Sequence, residues 1–204
     1  GAMTPQGEVT NIGRQMEQFP VESSYARMLI EATQYTKSVQ AKLAAIIAIQ
    51  EVGGIVKGGT KYTGWRTYTK QTKSDLLAQY DVYLALPNIL QEQYEEKGII
   101  SKNVGKAQEV IERLDRDLQL ADEPLVAITA DEEEPLNKKK NKKKIDQLWS
   151  VTDKGEVEHI VTGQQRELSG STVIRNPKLV AGTPFDLQVP TRSGELETLH
   201  LLQG

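Results

Sequence analysis

The sequence predicts an α+β protein, a helical bundle over the first two thirds followed by a small all-β domain. Three observations predict it. Apolar residues recur at helical spacing in four stretches before residue 124, and short alternating stretches with turn punctuation fill the end of the chain. Between them lies "DEEEPLNKKKNKKK", which has no apolar period and reads as a solvated linker.

The first helix is expected from about Glu22 to Tyr35, with Tyr25, Met28, Leu29 and Ala32 on one face. Pro20 and Glu22 precede it, and Ser23 or Ser24 is placed to help cap it. The second, "SVQAKLAAIIAIQEV", is aliphatic over so wide a face that it should sit near the centre of the bundle. The third, "KSDLLAQYDVYLAL", offers Ser74 as N-cap and Leu76, Leu77, Tyr80, Tyr83 and Leu84 for burial. A shorter helix between Asn88 and Lys97 should end at Gly98. The fourth long helix is expected from Lys106, carrying Ala107, Val110, Ile111, Leu114 and Leu118.

Between the second and third helices, "GGIVKGGTKYTGWRTYTK" holds five glycines and no helical period, which makes it a loop or small hairpin. Gly54 and Gly59 have the spacing of a phosphate loop, but Thr60 stands where the lysine must be. After the linker, "QLWSV", "VEHIV", "STVIR", "LVAGTPFDLQV" and "ETLHLL" read as five short strands of a barrel or sandwich.

Composition narrows the function classes. The chain has 204 residues, 38% hydrophobic and 5% aromatic, so its core must be mainly aliphatic. The net charge is −3 and cysteine is absent, which excludes disulfides, thiolate metal sites and cysteine nucleophiles. It also fits a reducing, cytoplasmic setting. Residues 1–130 hold 14 basic and 16 acidic groups, and residues 145–204 hold 5 and 8. Neither part attracts phosphate as a whole, so nucleic-acid contact would have to come from local patches. No apolar run approaches membrane-span length, so no membrane partner is expected. Gly1-Ala2-Met3 reads as the scar of a cleaved tag and is set aside. His159 and His200 stand alone, no metal set is evident, and no Gly-x-Ser-x-Gly elbow occurs.

"VTNIGRQMEQFPVESSYARMLIEA", from Val9 to Ala32, resembles the junction between winged-helix and ratchet domains in DEAH-box RNA helicases. The matching residues are Thr10, Gly13, Arg14, Met16, Phe19, Pro20, Val21, Ala26, Arg27, Met28, Leu29, Glu31 and Ala32. Ser23 stands where the family often has a second proline, and Leu77 replaces a usual histidine in "SDLLAQYDVYLAL". "AKLAAIIAIQEV" and "KGIISKNVGKAQEVIERLDRDL" are similar to the family's ratchet helices. "QRELSGSTVIRNPKLVAGTPFDLQV" resembles its C-terminal OB-fold.

The resemblance implies a helical-bundle ratchet domain followed by an OB-fold-like barrel. Its divisions would be 1–19, the scar and the end of a winged helix; 20–124, ratchet; 125–144, charged linker; and 145–204, OB-fold-like. It implies an accessory C-terminal piece of a helicase, monomeric, with no enzymatic activity of its own. ATP and magnesium would be handled by motor domains absent from this chain, and no cofactor is expected within it. The expected partners are single-stranded RNA or DNA, bound weakly, the motor domains, and a possible regulatory protein.

In that family the ratchet helices line a channel for single strands. Lys102, Asn103 and Lys106 then become phosphate candidates, since the start of a helix also favours anions. Arg27 is a further candidate, as an RNA ligand or an ion-pairing surface residue. Lys138, Lys139, Lys140, Lys142, Lys143 and Lys144 form either a spacer or a loose phosphate tether. Arg166, Ser169, Ser171 and Arg175 flank the strands where an OB-fold presents its binding face. The rings of Trp149 and Phe185 are the large aromatics there, the latter assigned to the core. The competing expectation is a protein-docking module using the barrel and the loop around Trp65, without nucleic-acid contact. The feature that separates the two is whether basic side chains converge on a groove between bundle and barrel.

Overall fold

A computed structural model describes residues 2–59, 61–120, 123–128, 148–152, 156–160, 162–170, 172–174, 177–190 and 196–203. The protein is α+β, with helices up to residue 118 and a six-stranded mixed sheet from residue 148.

Helix α1 (Asn11–Met16) is an element the apolar pattern did not announce. It forms because the Thr10 hydroxyl accepts the Gly13 N–H at 3.1 Å, an N-cap that serves even a short helix. Just before it, Met3 bridges Val9, and the Ala2 carbonyl accepts both the N–H and the hydroxyl of Thr10. Ala2 and Met3 are thus in contact with the start of α1. Helix α2 (Ser23–Ala32) is capped by Glu22, not by the serines, through a 3.3 Å bond from the Ser24 N–H. Its buried stripe is Ala26, Leu29 and Ala32, while Met28 is exposed.

Helix α3 (Lys37–Glu51) is buried without interruption from Gln40 to Ile49. Neighbours surround it, as its lack of a polar face requires. Leu43, Ala44 and Ile47 pack with Leu29 and with Leu114 and Leu118. Ala45, Ile46 and Ala48 meet Tyr80 and Ile111, and Ile49 faces Ile55, Trp65 and Val82. Each fully buried aliphatic side chain contributes about 1.5–3 kcal/mol, so this helix anchors the helical part.

Helix α4 (Asp75–Ala85) starts at Ser74, whose hydroxyl accepts the Leu77 N–H, as its sequence predicts. Its buried face is Asp75, Ala78, Gln79, Tyr80 and Val82. Leu76, Leu77, Tyr83 and Leu84 are half-buried, so the stripe is rotated from the predicted one. Helix α5 (Tyr94–Lys97) ends at Gly98 with φ of 76°, a left-handed conformation that glycine adopts without strain. Helix α6 (Ser101–Leu118) begins five residues before the predicted Lys106 and buries Val104, Ala107, Ile111, Leu114 and Leu118. Its last turn is held by the Lys37 ammonium, 2.6 Å from the Leu118 carbonyl, which also suits the negative end of the helix. Beyond it, Leu125 and Ile128 pack on the helices and the Tyr80 hydroxyl donates to the Val126 carbonyl at 2.9 Å. The chain thus stays on the helical part for the first residues of the segment assigned to the linker.

The strands are β1 (Leu148–Val151), β2 (Val157–His159), β3 (Gln165–Leu168), β4 (Leu179–Ala181), β5 (Thr183–Pro190) and β6 (Leu196–Gln203). Their order is β4-β1-β2-β3-β6-β5, antiparallel except for the parallel pair β3–β6. Gly182 alone separates β4 from β5. One stretch of chain therefore pairs with β1 at one end and with β6 along the rest. Trp149, Val157, Val180 and Leu202 make the core beneath.

One strand was not expected and one expectation needs correction. "QREL" forms β3 although its exposure alternates only weakly. "STVIR" supplies no strand among its described residues 172–174, because its central valine is used elsewhere.

Candidate nucleic-acid interface

Val173 belongs to the core of the helical part. It is 4% exposed and packs in the cluster of Ile49, Ile55, Trp65 and Val82. Its N–H donates to the Asp75 carboxylate at 2.5 Å, in the first turn of α4. Arg66 holds the same loop from outside: one guanidinium nitrogen donates to the carbonyls of Thr172 at 2.8 Å and Gly170 at 3.5 Å. Gly170 lies so close to the Gly59 backbone that a Cβ there would come within 2.6 Å of the Gly59 nitrogen. The loop after β3 is thus the joint between the two parts of the molecule.

Opposite this loop lies the long connection between α3 and α4. Val56 bridges Ile99, and the backbone of Lys57 and Ile100 completes the pairing at 2.7 and 2.8 Å. A 3-10 turn, Gly64–Tyr68, then carries Trp65 into the core at 1% exposure. From Glu51 to Asp75 the chain has five cations, Lys57, Lys61, Arg66, Lys70 and Lys73, and no carboxylate between the two ends. Lys61, Lys70 and Lys73 are exposed. The neighbouring rings are already covered by the chain's own cations: Lys57 lies 4.6 Å and Lys61 5.5 Å from Tyr62, and Arg66 4.7 Å from Trp65. Where this connection meets the loop the surface is a shallow, open cleft lined by Arg66, Thr69, Lys70, Gln71, Thr72 and Val173.

The residues singled out from sequence fare differently. Arg27 is exposed on α2, and Lys102 and Lys106 are exposed on the first two turns of α6. Asn103 is bonded within the helical part. Its side-chain amide donates to the carbonyls of Val52 at 3.1 Å and Gly54 at 2.7 Å, closing the end of α3 against α6. Arg166 is committed to the β-sheet, 2.7 Å from Asp186 and 3.4 Å from the Leu201 carbonyl, with its side chain only 10% exposed. Asp186 also receives the His200 ring at 2.9 Å, and these two bonds, His200 first, hold its pKa below the ordinary value. Ser169 is 5% exposed at the joint and its N–H bonds to the Leu202 carbonyl. Ser171, Arg175 and the six lysines Lys138–Lys144 lie outside the described residues, as does the ring of Phe185.

Gly54 is buried against Gln79, whose amide oxygen takes the Ile55 N–H at 2.7 Å, so this glycine serves packing and not a phosphate loop. His159 packs edge-on against Trp149, ring centres 4.8 Å apart, and its Nδ1 lies 2.8 Å from the Thr162 hydroxyl. Among the described residues, no three His, Asp or Glu side chains are grouped to hold a metal, and no helix is long and apolar enough to cross a membrane.

Sequence reasoning did not single out the basic connection as a candidate surface. Its signal was present: five cations without a carboxylate, in a region whose total charge is negative, interleaved with aromatic residues and threonines. No family model matches the chain, and no curated protein matches it.

Proposed function

We propose that the protein binds single-stranded nucleic acid, RNA or DNA, as the accessory C-terminal part of a DEAH-type helicase whose ATP-driven motor lies outside this chain. One observation carries the reading: the acid-free connection 52–74 brings Arg66 and Lys70 to the joint between the helices and the sheet, with Lys73 exposed on the same stretch. A patch of one sign in a mildly acidic molecule is how a strand's phosphates are gathered locally. The sheet supports the same reading. With β4 and β5 taken as one bent strand, the pairings run in a ring from β1 through β2, β3, β6 and β5 back to β1, which favours an OB-type barrel, a fold that handles single strands. The helical part stands in for the ratchet.

The affinity should be modest, because Trp65 and Trp149 are buried and the rings of Tyr62 and Trp65 face the chain's own cations. The burial of Trp65 also weakens the protein-docking alternative, since that ring cannot be offered to a partner.

Fluorescence anisotropy with a labelled single-stranded RNA of about twelve nucleotides tests the reading. Binding is expected in the micromolar range and to fall with salt. The Lys70→Ser/Lys73→Ser double variant should weaken it equally across sequences and lower the salt slope by about 1.4. Loss of all binding on replacing only Lys138–Lys144 by serine, with the double variant at wild-type affinity, would overturn the proposal in favour of a docking module.

A further inference from the structure

The cleft at the joint has walls from both parts of the chain, Arg66 to Thr72 on one side and Val173 on the other. Among the described residues that line it there is no carboxylate. The nearby acids are engaged with donors: Asp75 with the Val173 N–H at 2.5 Å, and Asp81 with the Thr69 hydroxyl at 2.8 Å. That hydroxyl in turn accepts the Gln71 N–H at 3.0 Å, which shapes the backbone over which Lys70 projects. Arg66 is oriented by the loop carbonyls of Gly170 and Thr172, both bonded through a single terminal nitrogen of a group with five N–H donors.

Resting on the strand-binding reading above, we propose that this cleft seats one phosphate of the bound strand, and that the seat exists only while Gly170, Thr172 and Val173 are docked on the helical part. Two features require the docking. Val173 is one wall, and it reaches the cleft only by inserting into the helical core. Arg66 is held by the loop's carbonyls; without them a long side chain regains rotamer freedom that binding must then remove. Loop docking and strand binding are therefore coupled. The coupling is reciprocal, so a bound strand must hold the loop in place as firmly as the loop favours the strand.

Charge alone and docking make opposite forecasts, which gives the test its discrimination. Asp75→Ala removes a negative charge beside a basic cleft, so simple electrostatics raises affinity for an anion. Removing the Val173 anchor should instead lower it. Gly170→Ala leaves every charge unchanged, but its Cβ would collide with the Gly59 backbone and push the loop away.

In the full chain, anisotropy with single-stranded oligouridylate should show Lys70→Ser, Gly170→Ala and Asp75→Ala each weakened, the two docking variants by about fivefold or more. Hydrogen exchange at the Val173 amide of the wild-type protein should slow on saturation with the oligonucleotide. Wild-type affinity in both docking variants alongside a weakened Lys70→Ser, or unaltered Val173 exchange, overturns the dependence on docking. If a docking variant fails to fold, the wild-type exchange measurement decides alone. Should the wild-type protein bind no oligonucleotide, the strand-binding reading fails separately. Titration with inorganic phosphate, followed by the amide resonances of Gln71 and Thr72, then judges the seat: shifts there uphold it and their absence overturns it.

Discussion

Replacing Val173 by alanine asks whether a residue from the β part stabilises the helical part. Val173 is 4% exposed among Ile49, Ile55, Trp65 and Val82, so the substitution deletes two methyl groups from a packed core. At about 0.8 kcal/mol per group, the lost transfer energy is about 1.6 kcal/mol. Incomplete collapse of the resulting cavity adds about 0.5–1 kcal/mol, giving about 2–2.5 kcal/mol in all. For a urea m-value of about 2.5 kcal/mol/M, the midpoint should fall by about 0.8–1 M. The two tryptophans divide the assay cleanly: Trp65 lies in the helical core and Trp149 in the core of the sheet. Urea unfolding followed by fluorescence in Trp149→Phe and Trp65→Phe backgrounds therefore reports each part separately. The Trp65 transition should move by the full amount on Val173→Ala. A shift confined to Trp149, or a midpoint unchanged for both, refutes the placement of Val173 in the helical core.

Two more substitutions probe the fold away from the joint. Asn103→Ala leaves the carbonyls of Val52 and Gly54 without their side-chain donor and should cost about 1–3 kcal/mol in thermal or urea unfolding, with strand affinity unchanged. Asp115, in the last turn of α6, has its pKa raised by burial first and then by Glu112. A carboxyl whose pKa is higher in the fold than in the unfolded chain weakens the fold as pH rises through the folded value. That loss is absent below the ordinary value of 3.8. Asp115→Asn should therefore stabilise the protein at neutral pH, by at most about 0.5 kcal/mol for a partly exposed charge at a helix C-terminus. The gain should vanish in melts recorded at a pH below the carboxylate range, and an equal gain at both pH values would contradict the raised pKa.

Local chemistry was readable wherever the deciding partners are close in sequence. Ser74 caps α4 because its hydroxyl needs only the N–H three residues on, and Gly98 ends α5 because the left-handed turn is a property of one residue. The long aliphatic run of α3 announced its own central position, since no face of it could meet water. The α+β class followed from the change of apolar period along the chain. Tertiary structure decided what distance along the chain conceals. The alternation in "STVIR" looks like a strand, yet the helical core claims Val173 across 98 residues through Asp75, and an N–H bonded to that carboxylate is not available to pair with a neighbouring strand. Asn103 and Arg166 are donor types suited to phosphate, but the Asn103 amide is bonded to two backbone carbonyls and Arg166 is buried to 10% exposure against Asp186 in the sheet. The candidate interface arises the same way. Its cations stand in one stretch of sequence, but the cleft needs a wall from the far end of the chain, and only packing brings that wall to it.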